Sequence, residues 1–213
     1  MKTVTVLIGD IDASREIAPK SREKIQRDLE KIFSKLNEDY SKEIVSPLKL
    51  TLGDEFQALF LSPYVGWKII QEIEISASKM GLSLRYALSY DVLHTSINKV
   101  EPLSMDGPAF WEARALIEKK ASKYSFHIRE FSFNSTLQVL GKVLDTTRND
   151  WTDIQTKYVY HMLETENSTA SETARYFDKS PSTVHRMLKT TKIDLYQEVW
   201  DEVGKMLRES VKI

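Results

Sequence analysis

Thr3 to Ile8 is a short run rich in β-branched residues that stops at Gly9-Asp10, the pattern of a buried central strand. From Ser21 the apolar residues Ile25, Leu29, Ile32, Phe33 and Leu36 recur at helical spacing with charges between them, which predicts an amphipathic helix. The period then drops to two. Leu48, Leu50 and Leu52 alternate with Lys49 and Thr51, Gly53-Asp54 interrupts, and Phe56, Ala58 and Phe60 resume the alternation, so a β-hairpin is predicted with its turn at Asp54. Trp67, Ile70, Ile73 and Ala77 then mark one face of a helix over 64–79, which Gly81 is placed to end.

The same reading gives a strand over 82–90, a helix over 108–124, a strand over 126–131 and a helix over 136–143. This mixed order predicts an α+β fold, an antiparallel or mixed sheet of ferredoxin-like type with helices packed on it, spanning residues 1–145. The polar stretch from Asp145 to Trp151 reads as a linker. Beyond it only helical periods occur, so residues 150–213 are expected to form a small all-α domain. Trp151, Ile154, Tyr158 and Met162 make its first apolar stripe. Leu195, Val199 and Val203, widened by Tyr196 and Trp200, make its last, which closes the small domain's core or serves as a homodimer contact.

A length of 213 residues with 41% hydrophobic content suffices for one substantial core and a smaller one. The formal net charge of −1 excludes a protein that coats nucleic acid by bulk charge, so any such contact must come from a local patch. The absence of cysteine excludes disulfides, thiolate metal sites and a cysteine nucleophile. The opening stretch MKTVTVLIGDIDASRE has too brief an apolar run for a signal peptide or a membrane span, and a cytoplasmic protein with no membrane association is expected.

Two acidic signatures then stand out: IGDIDASRE where the first strand ends, and TLGDEFQALF at the hairpin tip. In a sheet of the predicted order the two come together, so Asp10, Asp54 and the backbone carbonyl of Ile11 are candidate ligands for Mg²⁺, which favours hard oxygen donors and grips nucleotide phosphates. Ser14 and Arg15 lie where a phosphate would approach the loop before a helix, and Arg22 is one turn into that helix. The three are candidate nucleotide-binding residues. Read plainly, Gly53-Asp54 is also an ordinary hairpin turn, Asp12 and Ser14 are possible helix caps, and Asp12 and Glu55 are residues that can simply face solvent.

GDIDASRE resembles the first metal motif of class III nucleotide cyclases and the corresponding stretch of GGDEF-type diguanylate cyclases, and LGDEF is one residue from GGDEF. That resemblance implies a nucleotide-cyclase-type palm. The cyclase pattern's base-reading lysine falls on Leu50, and its late-helix asparagine and arginine fall on Trp111 and, one residue out of register, Arg114. The wider combination of GDIxxSR, TLGDEFQ, DGPAFWEARA and a terminal pair of short helices resembles the bacterial SatD family over nearly the whole chain.

In that terminal pair, a helix over 170–177 carries Ala174 where close packing demands a small residue. Asp178-Lys179 makes a turn, and Ser180 caps a helix that buries Val184 and Leu188. The arrangement resembles the helix-turn-helix of bacterial regulators and sigma-factor region 4. From Lys179 to Lys192 there is no acid. The resemblance implies that Ser182, Thr183, His185 and Arg186 face base edges and that Lys179, Ser180 and Lys189 touch phosphates. The expectation is therefore a DNA-binding regulator whose first domain binds a nucleotide, Mg²⁺ or both. The alternative is an active nucleotide cyclase or nucleotidyltransferase with a docking appendage.

Overall fold

The computed structural model describes residues 2–12, 17–165 and 169–211. Its centre is a five-stranded sheet in the order β2-β3-β1-β4-β5, formed by β1 (Lys2–Ile11), β2 (Ile44–Leu52), β3 (Glu55–Phe60), β4 (Leu84–Leu93) and β5 (Tyr124–Ile128). The helices α1 (Pro19–Asp39) and α2 (Pro63–Lys79) make the crossovers of a βαββαβ unit. The helix α3 (Pro108–Lys119) brings β5 back parallel to β4, so the sheet is mixed.

β1 is longer than its apolar run suggests because it has partners on both sides. It pairs antiparallel with β3, and with β4 along its whole length from Lys2 opposite Leu93 to Ile11 opposite Leu84. Residues Val4 to Gly9 are all buried. The strand is buried on both faces: Leu7 and Ile11 pack with Leu29, Phe33, Phe56 and Phe60 under α1 and α2, while Val4, Val6 and Ile8 join Leu59, Ala87 and the α3 residues Ala109, Ala113 and Ile117.

Several boundaries differ from the periodicity: the strand expected over 82–90 is β4, Leu84–Leu93, the strand expected over 126–131 ends at Ile128, and two further differences reshape the core. The expected helix over 108–124 stops at Lys119, where Lys120 turns left-handed with φ 50°. Tyr124 instead opens β5, fully buried and stacked on its register partner Tyr86 with ring centroids 5.8 Å apart. The expected linker is also helical: α4 (Asn134–Asn149) runs through most of it, and Trp151 is buried. The cause is packing. Gly141 brings α4 so near β5 that a β-carbon there would lie 2.5 Å from the Tyr124 carbonyl oxygen, and the Trp151 indole N–H donates to the carbonyl of Thr191 at 2.8 Å.

The helices α5 (Asp153–Glu164), α6 (Ala170–Tyr176), α7 (Pro181–Thr191) and α8 (Ile193–Glu209) complete the described chain. α8 lies against α2 and α4, and one cluster of buried side chains runs unbroken from Leu7 to Leu207. Trp200 of α8 stacks on Trp67 of α2 with centroids 3.9 Å apart, and the Trp67 indole donates to the Trp200 carbonyl. The α8 stripe thus closes a core shared with the sheet layer. Leu195 and Ile154, expected inside, are exposed.

Candidate functional site

At the end of β1 the hairpin turn is made by Gly53, left-handed at φ 69°, and Asp54, whose carbonyl accepts from the Ile11 amide at 3.1 Å. Gly9 is required here by contact, since a β-carbon would overlap the Phe56 ring at 2.0 Å. The register places Asp10 opposite Glu55 on one side and Arg85 on the other, and residues directly opposite in an antiparallel ladder share a face. That face is the one α3 covers.

On it, Asp10, Asp12 and Glu55 each meet a cation. Arg85 donates from Nη2 to Asp10 Oδ2 at 2.5 Å, and its Nε stands 3.0 Å from Asp12 Oδ1, off the line of the N–H, a charge contact rather than a hydrogen bond. Ser83 Oγ donates to the other Asp12 oxygen at 2.8 Å. Arg114 of α3 grips Glu55 bidentately, and Gln57 Nε2 donates to the same carboxylate at 2.8 Å. Burial pushes the Glu55 carboxyl up, but the hydrogen bonds from Arg114 and Gln57 outweigh it and hold the group below the usual range. Glu55 is therefore tied down rather than facing solvent.

On the opposite side of the sheet, Ile11, Ile17, Arg22, Ile25, Gln26, Gly53 and Asp54 line a cavity of about 250 Å³. Arg22 Nε donates to the Ile17 carbonyl at 2.8 Å, and Gln26 Nε2 to the Gly53 carbonyl at 2.5 Å. The structure so brings Ile11, Arg22 and Asp54 together, while Asp10 leaves the strand toward Arg85. Ser14 and Arg15 lie outside the described residues. Among the described residues no group of three or more histidine, aspartate or glutamate side chains is arranged to hold a metal.

The second candidate surface is α7. The Lys179 amide bonds back to the Ala174 carbonyl at 2.9 Å, Asp178 is left-handed at φ 51°, and Ser180 caps α7 by accepting from the Thr183 amide at 3.2 Å. Ala174, Val184 and Leu188 are buried. Lys179, Ser180, Ser182, His185, Arg186 and Lys189 are exposed, and Thr183 is half-buried. Residues 179–192 carry Lys179, Arg186, Lys189 and Lys192 without an acid.

What sequence reasoning missed is the partners. Arg85 sits between the core residues Leu84 and Tyr86, so the alternation of β4 signals that it faces away from them, but its meeting with Asp10 depends on the strand register.

The fold and these two surfaces define an α+β protein in which a mixed sheet shares its core with a helical C-terminal part bearing a basic helix. The family model of the SatD family matches residues 4–206, and the chain belongs to that family. Among solved structures it is similar to the guanylyl cyclase Cya2 at 13% identity and a TM-score of 0.37, over 55% of this chain and 70% of that one. A search of curated proteins finds no match. No helix among the described residues is long and apolar enough to cross a membrane.

Proposed function

We propose that this chain is a cytoplasmic DNA-binding regulator that reads duplex DNA with α7, α6 and α7 acting as a helix-turn-helix. The observation that carries the reading is the division of α7: Ser182, His185, Arg186 and Lys189 project outward, opposite the buried Val184 and Leu188, in a segment free of acid. A helix so divided inserts into the major groove with its N-terminal half toward base edges. Ser182, Thr183, His185 and Arg186 take that role, Lys179 and Lys189 neutralise phosphates, and the Ser180 hydroxyl touches one.

Fluorescence anisotropy with labelled genomic duplexes tests this. Binding is expected to weaken in Arg186→Ala and Lys189→Ala, and for a phosphate contact the slope of log affinity against log salt falls by about 1. If the parent protein binds no duplex at low salt, the reading fails.

A second reading, in which the sheet layer resembles a nucleotide-cyclase palm and binds a nucleotide, rests on the cavity that joins Ile11, Arg22 and Asp54. Mg²⁺ does not fit the arrangement as it stands: for Asp10 and Asp54 to share an ion, Asp10 must leave Arg85 and turn to the other side of the sheet. Calorimetry with ATP and GTP, with and without Mg²⁺, on the parent and on Asp10→Ala and Asp54→Ala separates the cases. Loss of affinity in Asp54→Ala alone places the nucleotide in the cavity, and equal loss in both restores the shared ion. Pyrophosphate release would make the chain an enzyme of the cyclase or nucleotidyltransferase type.

A further inference from the structure

Glu74 lies within α2, only 3% exposed, at the seam between the sheet layer and the C-terminal helices. A carboxylate this deep is tolerated only when paired and fully hydrogen-bonded. Lys123, itself buried, stands with Nζ 2.9 Å from Oε1. Tyr160 OH donates to Oε1 at 2.8 Å and Tyr86 OH to Oε2 at 2.8 Å. The partners come from separate elements: Tyr86 from β4, Lys123 from the residue before β5, Tyr160 from α5. Burial, with the Glu74 charge adding to it, pushes the phenols of Tyr86, Tyr124 and Tyr160 well above their ordinary value, so each stays a neutral donor.

The contacts continue outward from this hub. The Arg148 guanidinium lies 5.7 Å from the Tyr160 ring centre and 5.6 Å from that of Trp151. Trp151 in turn donates to the carbonyl of Thr191, the last residue of α7. Beside them Tyr124 OH and Tyr196 OH, 3.2 Å apart, join β5 to α8.

Much of the seam is aromatic and apolar, and such contacts hold surfaces together without selecting one orientation. The hub does select, because any shift of α5 against α2 strands a buried carboxylate without its donors. We propose that Glu74 is a positioning residue that locks α5 to α8 in a single orientation on the sheet layer and so makes α7 part of one rigid body. The docking claim stands without the DNA reading and is measured without DNA. Only its consequence for DNA affinity rests on that reading.

The chain has no cysteine, so Ser34→Cys on α1 and Ser171→Cys on α6, both exposed, accept spin labels without competition. The full-length parent should give one narrow inter-label distance by pulsed electron paramagnetic resonance. Glu74→Gln should broaden it and speed amide exchange in α5 and α8 by about tenfold, while β1 and β4 keep their protection. An unchanged distance, or exchange raised equally in the strands and the helices, overturns the proposal. Should Glu74→Gln not fold, the combination Glu74→Leu, Lys123→Met, Tyr86→Phe and Tyr160→Phe removes the hub without orphaning a charge. It should fold and show a broadened distance, and a narrow, parent-like one overturns the proposal equally.

Discussion

Arg114 and Arg85 decide what the acids at the sheet end do, since a carboxylate already gripped by a guanidinium is neither a free base nor an open ligand. The Glu55 carboxyl titrates below its ordinary 4.5 in the folded protein, so its contribution to stability is complete above that value and is lost as the pH falls through the lowered one. Urea unfolding of the parent and of Glu55→Gln should therefore differ by a constant amount above about pH 5 and begin to converge as the pH falls below about 4.5. A difference that persists unchanged into acid would detach the effect from the Glu55 charge. Gly9→Ala should cost about 1–3 kcal/mol, because the Phe56 ring occupies the space that its methyl needs.

The turn between α6 and α7 is the element whose chemistry is most open to substitution. Asp178 holds a left-handed conformation at φ 51°, which glycine adopts without strain and β-branched residues resist. Thermal unfolding should show Asp178→Gly at least as stable as the parent and Asp178→Val less stable by about 1 kcal/mol or more. Neither change touches the outward face of α7, so a glycine variant that folds yet loses duplex binding would move the contact from α7 to the turn. This element was well read in the sequence. The 3.6-residue period settles at once which residues of α7 pack inward and which point out, and Val184, Leu188, His185, Arg186 and Lys189 lie on the sides expected.

At the scale of the whole molecule, a core that runs from the sheet through α2 and α4 into α8 predicts a single cooperative unfolding transition. Trp67, Trp151 and Trp200 are buried along the seam, so tryptophan fluorescence reports undocking while far-ultraviolet circular dichroism reports all the helices and strands. In a urea titration the two signals should coincide. A fluorescence change that precedes the dichroism would show the C-terminal helices leaving first, against one shared core.

Local alternation was enough to place some features: the hairpin turn at Gly53-Asp54, the helix ending before Gly81, and the buried and exposed sides of α7 follow from periods of two and 3.6 and from backbone preferences of single residues. Pairing across distance was settled only by the tertiary structure. Asp10 meets Arg85 because of the register of β1 against β4. Tyr124 becomes a strand residue because Tyr86 waits beside it, the expected linker is helical because α4, which runs through it, packs on β5 and α8, and Glu74 is tolerable in the interior because Lys123, Tyr86 and Tyr160 converge on it. A side chain's own neighbours in sequence set its conformation, whereas its charge partner and its burial are set by residues that folding alone brings near.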